Sequence, residues 1–220
     1  MVIIKFSKTK EGAFISNTNM ERILRRVFSI ASLDIDLKAD RKNMSLSFSS
    51  PTQQCVESLC EYVRIDTDEN AQAVKAKIIN VLPSWIKIEK VFQTRHKIYL
   101  ASFEKMVQYK ISFDNFKTFK ARVADFFNQK NIYIDIRMHG QNKVVDVKSN
   151  MSDLQVYDDG FEILAGAGSD GIHIVEVVKK LLKFCGMQDK YFKICKNQSF
   201  TYDDDKMITM DSFLEKYSEK

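Results

Sequence analysis

The sequence predicts an α+β protein made of two similar halves, and three observations lead there. Four amphipathic helical stretches recur along the 220 residues, beginning near residues 18, 69, 115 and 171. Each is preceded by a short apolar strand and followed by two alternating runs around a polar turn, the pattern of a β-hairpin. Between the second and third repeats the connector shrinks to residues 104–108, which divides the chain into halves 1–104 and 105–220. Two helices cannot cover both faces of the sheet in each half, so they are expected side by side on one face.

Taken in order, residues 2–6 form the first strand. TNMERILRRVFSIA at 18–31 then places Ile23, Leu24, Val27, Phe28 and Ala31 on one helical face, with Asn17 or Asn19 as cap. LDIDLK and MSLSF around ADRKN make the first hairpin. Residues 62–65 form the next strand. ENAQAVKAKIINVL at 69–82 follows, with Val74, Ile78, Val81 and Leu82 together, Asp66 or Asp68 as cap and Pro83 as stop. WIKIEKVF and IYLASF around QTRHK give the second hairpin. The third unit has a strand at 109–113, a helix at 115–129 with Phe116, Phe119, Val123 and Phe126 inward and Asp114 as cap, and a hairpin of IYIDIRM and VVDVK. The fourth has a strand at 161–164 and a helix at 171–185 carrying Ile174, Val175, Val178, Leu181, Leu182 and Cys185. Ser169 or Asp170 caps that helix, Gly186 ends it, and YFKIC and SFTY flank a KNQ turn. The helix starts are spaced by 51, 46 and 56 residues, a repeat architecture in pattern without repeated sequence.

Composition narrows the function. Hydrophobic residues at 45% and charged residues at 29% suit a folded chain with a sizeable core. Six of the seven glycines lie at or after Gly140, so earlier segments hold little material for a nucleotide-cradling loop. Cys55, Cys60, Cys185 and Cys195 show no CxxC spacing, and with only His96, His139 and His173 beside them no zinc site is expected; they read as free thiols. The opening MVIIKFSKTKEG reads as a strand and not a signal peptide, and no apolar run reaches a membrane span. A soluble intracellular protein with no membrane partner is expected.

The net charge is +5, and its placement matters more than its size. Arg22, Arg25 and Arg26 stand on the first helix, Lys75 and Lys77 on the second, Lys117, Lys120 and Arg122 on the third, and Lys179, Lys180 and Lys183 on the fourth. Eleven cations there face four acids (Glu21, Glu69, Asp125 and Glu176), so the helices carry more than the whole surplus of the chain. Lys and Arg on parallel helix faces suit phosphate contact, which positions a nucleic acid without reading its sequence.

The pattern resembles the sliding-clamp family of the proliferating cell nuclear antigen type. ERILRRV at 21–27 is similar to that family's first inner helix, VKAKII at 74–79 to the second, and YKISFDNFKTF at 109–119 to the third strand and helix start. FTYDDDKMITMDSFLEKY is similar to the closing strand and tail. The resemblance implies a DNA clamp fold with helices lining a ring around duplex DNA, and sister subunits in a homo- or heterotrimer. It also implies a clamp loader and tethered replication, repair or damage-checkpoint proteins. It implies a non-catalytic role without cofactor or metal, and a nuclear location in a eukaryote. It puts the subunit contact on Ile98, Leu100 and Phe103 of one edge strand and on Leu154 and Val156 of another. The short connector and positive charge fit a divergent member, such as a checkpoint-clamp subunit.

A second family competes. ADRKN at 39–43 echoes the catalytic loop of tRNA pseudouridine synthases, with Asn43 where the nucleophilic aspartate would stand, and LPSWIKI at 82–88 echoes another of its segments. An amide cannot replace that carboxylate, so this resemblance implies an inactive RNA-binding protein. Asp158, Asp159 and Asp203–Asp205 read as turn residues rather than a cation site. GAGSDG at 166–171 lacks the Lys–Ser/Thr of a P-loop and reads as a loop. Trp85 and the many Phe and Tyr residues raise base stacking, though most fall at core positions.

Overall fold

The computed structural model describes residues 1–37, 44–138, 140–168 and 171–218. Strand β1 (Val2–Lys8) leads through a 3-10 turn at Lys10–Phe14 into α1 (Asn17–Ile30), which Ser16 caps by accepting from the Asn19 backbone N–H. Next come β2 (Leu46–Phe48) and β3 (Val56–Ile65), then α2 (Ala71–Ile78), capped by Asn70, and β4 (Ile86–Gln93). A single helical turn, α3 (Leu100–Phe103), ends this half. Strand β5 (Met106–Phe113), a 3-10 turn at Phe116–Thr118 and α4 (Lys120–Phe127) open the second. The hairpin β6 (Tyr133–Met138) and β7 (Gln141–Asp146) precedes β8 (Met151–Val156) and β9 (Gly160–Gly166). After α5 (Ile174–Cys185), β10 (Phe192–Asp203) and β11 (Lys206–Thr209) form the last hairpin, and α6 (Met210–Lys216) follows.

The first half places its strands in the order β4-β1-β3-β2, all antiparallel. The second repeats that order as β10-β5-β9-β8, with the β6–β7 hairpin inserted as a separate two-stranded sheet. Each half is thus a ferredoxin-like βαββαβ unit. Strand β3 holds β2 along Val63–Ile65 and has room at Val56–Ser58 for β10, which joins it in parallel through Ile194–Lys196. That seam welds both units into one nine-stranded sheet.

Side-chain alternation across the seam sets where the helices lie. Ile4, Phe6 and Ile88 pack with Leu24, Phe28, Val74 and Ile78 of α1 and α2, whereas Val56, Tyr109, Ile111 and Ile194 pack with Val123, Phe126, Val178 and Leu181 of α4 and α5. Lys8, next on the Phe6 face, pairs with Ser58, two residues from Val56, so both helix pairs lie on one face of the shared sheet. The back of the first unit is covered instead by α3 and α6, with Leu100, Met210, Phe213 and Leu214 over Ile3, Tyr62 and Phe92.

The α+β class holds, but the expected repeat of four strand–helix–hairpin units does not. Residues 98–103 form no strand: Ile98 and Leu100 are buried and Phe103 stacks on Phe213 at 5.0 Å, so the segment satisfies its apolar side chains as a helical turn under α6. Ile98, Leu100 and Phe103 therefore offer no edge for a subunit contact. The KNQ segment is no turn either, because β10 runs through it with an irregularity between Lys196 and Gln198. Strand β8, with half-buried Leu154 and Val156, does lie at the edge of the sheet.

Candidate nucleic-acid interface

Helices α1 and α5 both begin at a cleft over the seam. A cavity of about 260 Å³ there is lined by Asn17 at the start of α1, by Ser50, Pro51 and Gln53, by the loop around Gly166, Gly168 and Gly171, and by His173. Val107, Tyr109 and Lys196 form its floor. Gln53 ties the loop before β3 to α5: its Oε1 accepts from the Val175 N–H, and its Nε2 lies 2.7 Å from His173 Nδ1.

The floor is held by buried charge. Lys196 Nζ lies 2.8 Å from Glu104 Oε1 and 3.6 Å from Glu61 Oε1. Thr52 Oγ1 donates to Glu61, Ser199 Oγ donates to Glu104 at 2.5 Å, and the Ser50 N–H donates to the other oxygen of Glu104 at 2.8 Å. Burial alone disfavours the ammonium of Lys196, but Glu104 and Glu61 outweigh it and hold the group well above its ordinary range. Burial likewise works against the Glu61 carboxylate, and Lys196 and Lys8 together hold it below its ordinary value. For Lys8 burial wins and the pKa falls, with Glu61 opposing. The Cys60 thiol beside them is pushed up to about 11, chiefly by burial, and stays protonated at neutral pH. Among the described residues one buried side-chain polar atom has no partner, Ser50 Oγ in the cleft wall.

Sequence reasoning passed over this network, although a signal was present. Lys8 continues the inward alternation Ile4, Phe6, and Lys196 continues Phe192, Ile194. A charge at a core position of a period-2 pattern implies a buried counter-charge.

The eleven helical cations differ in how far they are already satisfied. Arg25 is held by Glu21 at 2.6 Å and by the Met44 carbonyl, Lys77 by Glu69, Lys120 by Asp158, and Lys179 by Glu176. Arg122 donates to the Cys185 carbonyl and lies over the Phe184 ring, so it braces the end of α5 against α4. Arg22 reaches Asn19 at 3.5 Å, and Lys117 stands in the 3-10 turn with its charge acting on Asp158. Arg26 on α1, Lys75 on α2, and Lys180 and Lys183 on α5 make no hydrogen bond or ion pair among the described residues. Arg26, Lys180 and Lys183 are exposed on helices of the same sheet face, whereas Lys75 lines a groove with Glu89, Lys90 and Glu215. No group of three or more His, Cys, Asp or Glu is placed to hold a metal ion among the described residues, Asp203–Asp205 included. The ADRKN segment with Asn43, and the caps expected at Ser169 and Asp170, lie outside them.

Residues 2–183 match the model of a family described as an uncharacterized protein conserved in bacteria (DUF2344). The chain belongs to that family. No curated protein matches it. Membership corrects the sliding-clamp resemblance, which rested on recurring strand and helix signals that two ferredoxin-like units supply equally well. With a family conserved in bacteria, the nuclear location implied by that resemblance loses its ground. No helix among the described residues is long and apolar enough to cross a membrane.

Proposed function

We propose that this protein binds nucleic acid through its helical face, by contacts to backbone phosphates, and has no chemistry of its own in that role. The observation that carries the reading is the set Arg26, Lys180 and Lys183, exposed on two helices of one sheet face with no hydrogen bond or ion pair among the described residues. Cations already satisfied by carboxylates have little to gain from a phosphate, whereas unneutralised ones release counterions from the nucleic acid when they bind. The ring around duplex DNA, the sister subunits and the loader came only with the clamp resemblance and form no part of this proposal. The buried network supports the reading as scaffold, because its charges neutralise one another and fix the cleft from which α1 and α5 project.

Fluorescence anisotropy with labelled single-stranded RNA, single-stranded DNA and duplex DNA tests it. The expected result is binding that weakens steeply with salt and weakens further in an Arg26→Gln/Lys180→Gln/Lys183→Gln variant with an unchanged melting temperature. No binding to any of the three at low salt, or equal binding by that variant, overturns it.

A further inference from the structure

Where β3 and β10 begin side by side, a second and more apolar groove of about 470 Å³ opens. Two large aromatics stand on its rim with most of their surface in solvent: Phe14, 67% exposed, at the end of the 3-10 turn, and Tyr191, 63% exposed, just before β10. Ala13, Phe192 and Ile194 line it below. Lys10, Lys190 and Lys193 surround it, and none of their ammonium groups is bonded or paired among the described residues. Its one acid, Glu57, already accepts from the Lys10 backbone N–H at 2.8 Å. The rim is anchored: the Cys55 N–H donates to the Ala13 carbonyl at 2.8 Å and Gln54 Nε2 to the Phe14 carbonyl at 3.2 Å.

Exposed rings cost solvation and gain nothing from this fold, and lysines around them select an occupant that is flat, apolar on its faces and negatively charged beside them. An unpaired nucleobase with its flanking phosphates has that chemistry. We propose that this groove captures an unpaired base of a single-stranded nucleic acid by stacking on Phe14 and Tyr191, while Lys10, Lys190 and Lys193 hold the adjoining phosphates. The proposal rests on the reading of the helical face as a phosphate-binding surface and adds to it a preference for single strands. A paired base inside a duplex cannot reach the rings, so the groove discriminates by strandedness.

The test compares labelled rA12, rU12 and dT12 with a twelve-base-pair duplex. It uses the wild-type chain, Phe14→Ala, Tyr191→Ala, the double variant and the ring-conserving Tyr191→Phe. Light scattering is recorded throughout. Each ring removed is expected to weaken single-strand binding roughly 5- to 150-fold, the range of base–aromatic stacking. Duplex binding should stay within about twofold, and Tyr191→Phe should keep most of the affinity. Because both side chains are exposed, melting temperatures should not move; a fall would be checked by whether duplex binding survives. Single-strand affinity unaffected by ring removal, with duplex binding intact and still lost in the helical-face variant, overturns this inference alone. Absence of all binding by the wild type overturns it together with the helical-face reading. Dissociation of an oligomer on ring removal, without change in single-strand affinity, shows a second copy on the groove and also overturns it.

Discussion

Lys196 Nζ sits 2.8 Å from Glu104 Oε1, and neither side chain is exposed beyond 1%. One belongs to the last long strand of the second unit and the other to the segment that closes the first, so this pair crosses the seam. Removing one member leaves the other charged and dry, at a cost of about 3–5 kcal/mol. Lys196→Met is therefore expected to lower the urea midpoint sharply, and Lys196→Met/Glu104→Gln to recover part of the loss. Equal midpoints for the wild type and the single variant would show that the pair contributes nothing.

Leu100 provides a second check. As an edge-strand residue it would tolerate Asp and release a subunit contact. In this fold it is fully buried against Ile3, Tyr62 and α6. Leu100→Ala should cost about 2–5 kcal/mol, and Leu100→Asp should abolish cooperative unfolding. Denaturation followed by Trp85 fluorescence reads both.

Acid should loosen α6 from the sheet. Asp211 receives Lys5 Nζ at 2.9 Å and the Tyr62 hydroxyl at 2.7 Å, with Lys90 at 3.2 Å. Burial raises the pKa of Asp211, but the hydrogen bonds from Lys5 and Tyr62 bring it below the ordinary 3.8. The folded value lies under the unfolded one, so this stabilisation is complete above about pH 4 and is lost as pH falls through the depressed native value. Melting temperature against pH should therefore drop less steeply in acid for Asp211→Asn, which begins from a lower plateau.

Salt gives a count of contacts. Each phosphate neutralised on a single strand contributes a slope of about 0.7 to log K against log salt, so replacing Arg26, Lys180 and Lys183 by Gln should flatten the plot by about 2. A parallel shift with unchanged slope would mean that those residues touch no phosphate.

Gly160 is a backbone constraint of the second unit. A methyl group there would lie 1.9 Å from the Ile111 carbonyl oxygen, where β9 passes β5. Gly160→Ala should destabilise by about 1–3 kcal/mol, the cost of forcing extra atoms into close packing, and should do so without touching either proposed binding surface. Chemical denaturation and duplex binding, measured on the same preparation, separate the two effects.

Local pattern made the existence of α1, α2, α4 and α5 legible, although α2 stops at Ile78 and α4 starts only at Lys120, both shorter than the predicted stretches 69–82 and 115–129. Leu24, Val27 and Phe28 on α1, Val74 and Ile78 on α2, and Val178, Leu181 and Leu182 on α5 are buried as their periodicity required, and Gly186 ends α5 in the left-handed region at φ 71°. Pairing was less legible. The polar KNQ segment imitates a turn: alternation puts Lys196 at an inward position, but nothing local says that its carboxylate is Glu104, 92 positions earlier in the chain. IYLASF alternates like a strand, yet the partner that decides its shape, α6, lies more than a hundred residues away. Basic side chains on the helices were visible, but which of them are neutralised depends on Asp158 and the Cys185 carbonyl, which only the assembled units bring near. Phe14 and Tyr191 look in sequence like any other core aromatics.

The covering of the first unit's back face by α6 bears on how the chain is made. Ile3, Tyr62 and Phe92 emerge during translation well before Met210, Phe213 and Leu214, which shield them. Phe92, on the last strand of that unit, precedes Met210 by 118 positions, so at about 5–20 residues per second the apolar back of the nascent unit stays open for on the order of 6–24 s. The ribosome-bound chain is therefore at its most adhesive while its first unit is already assembled, and its solubility in the cell depends on what shields that face until α6 has emerged.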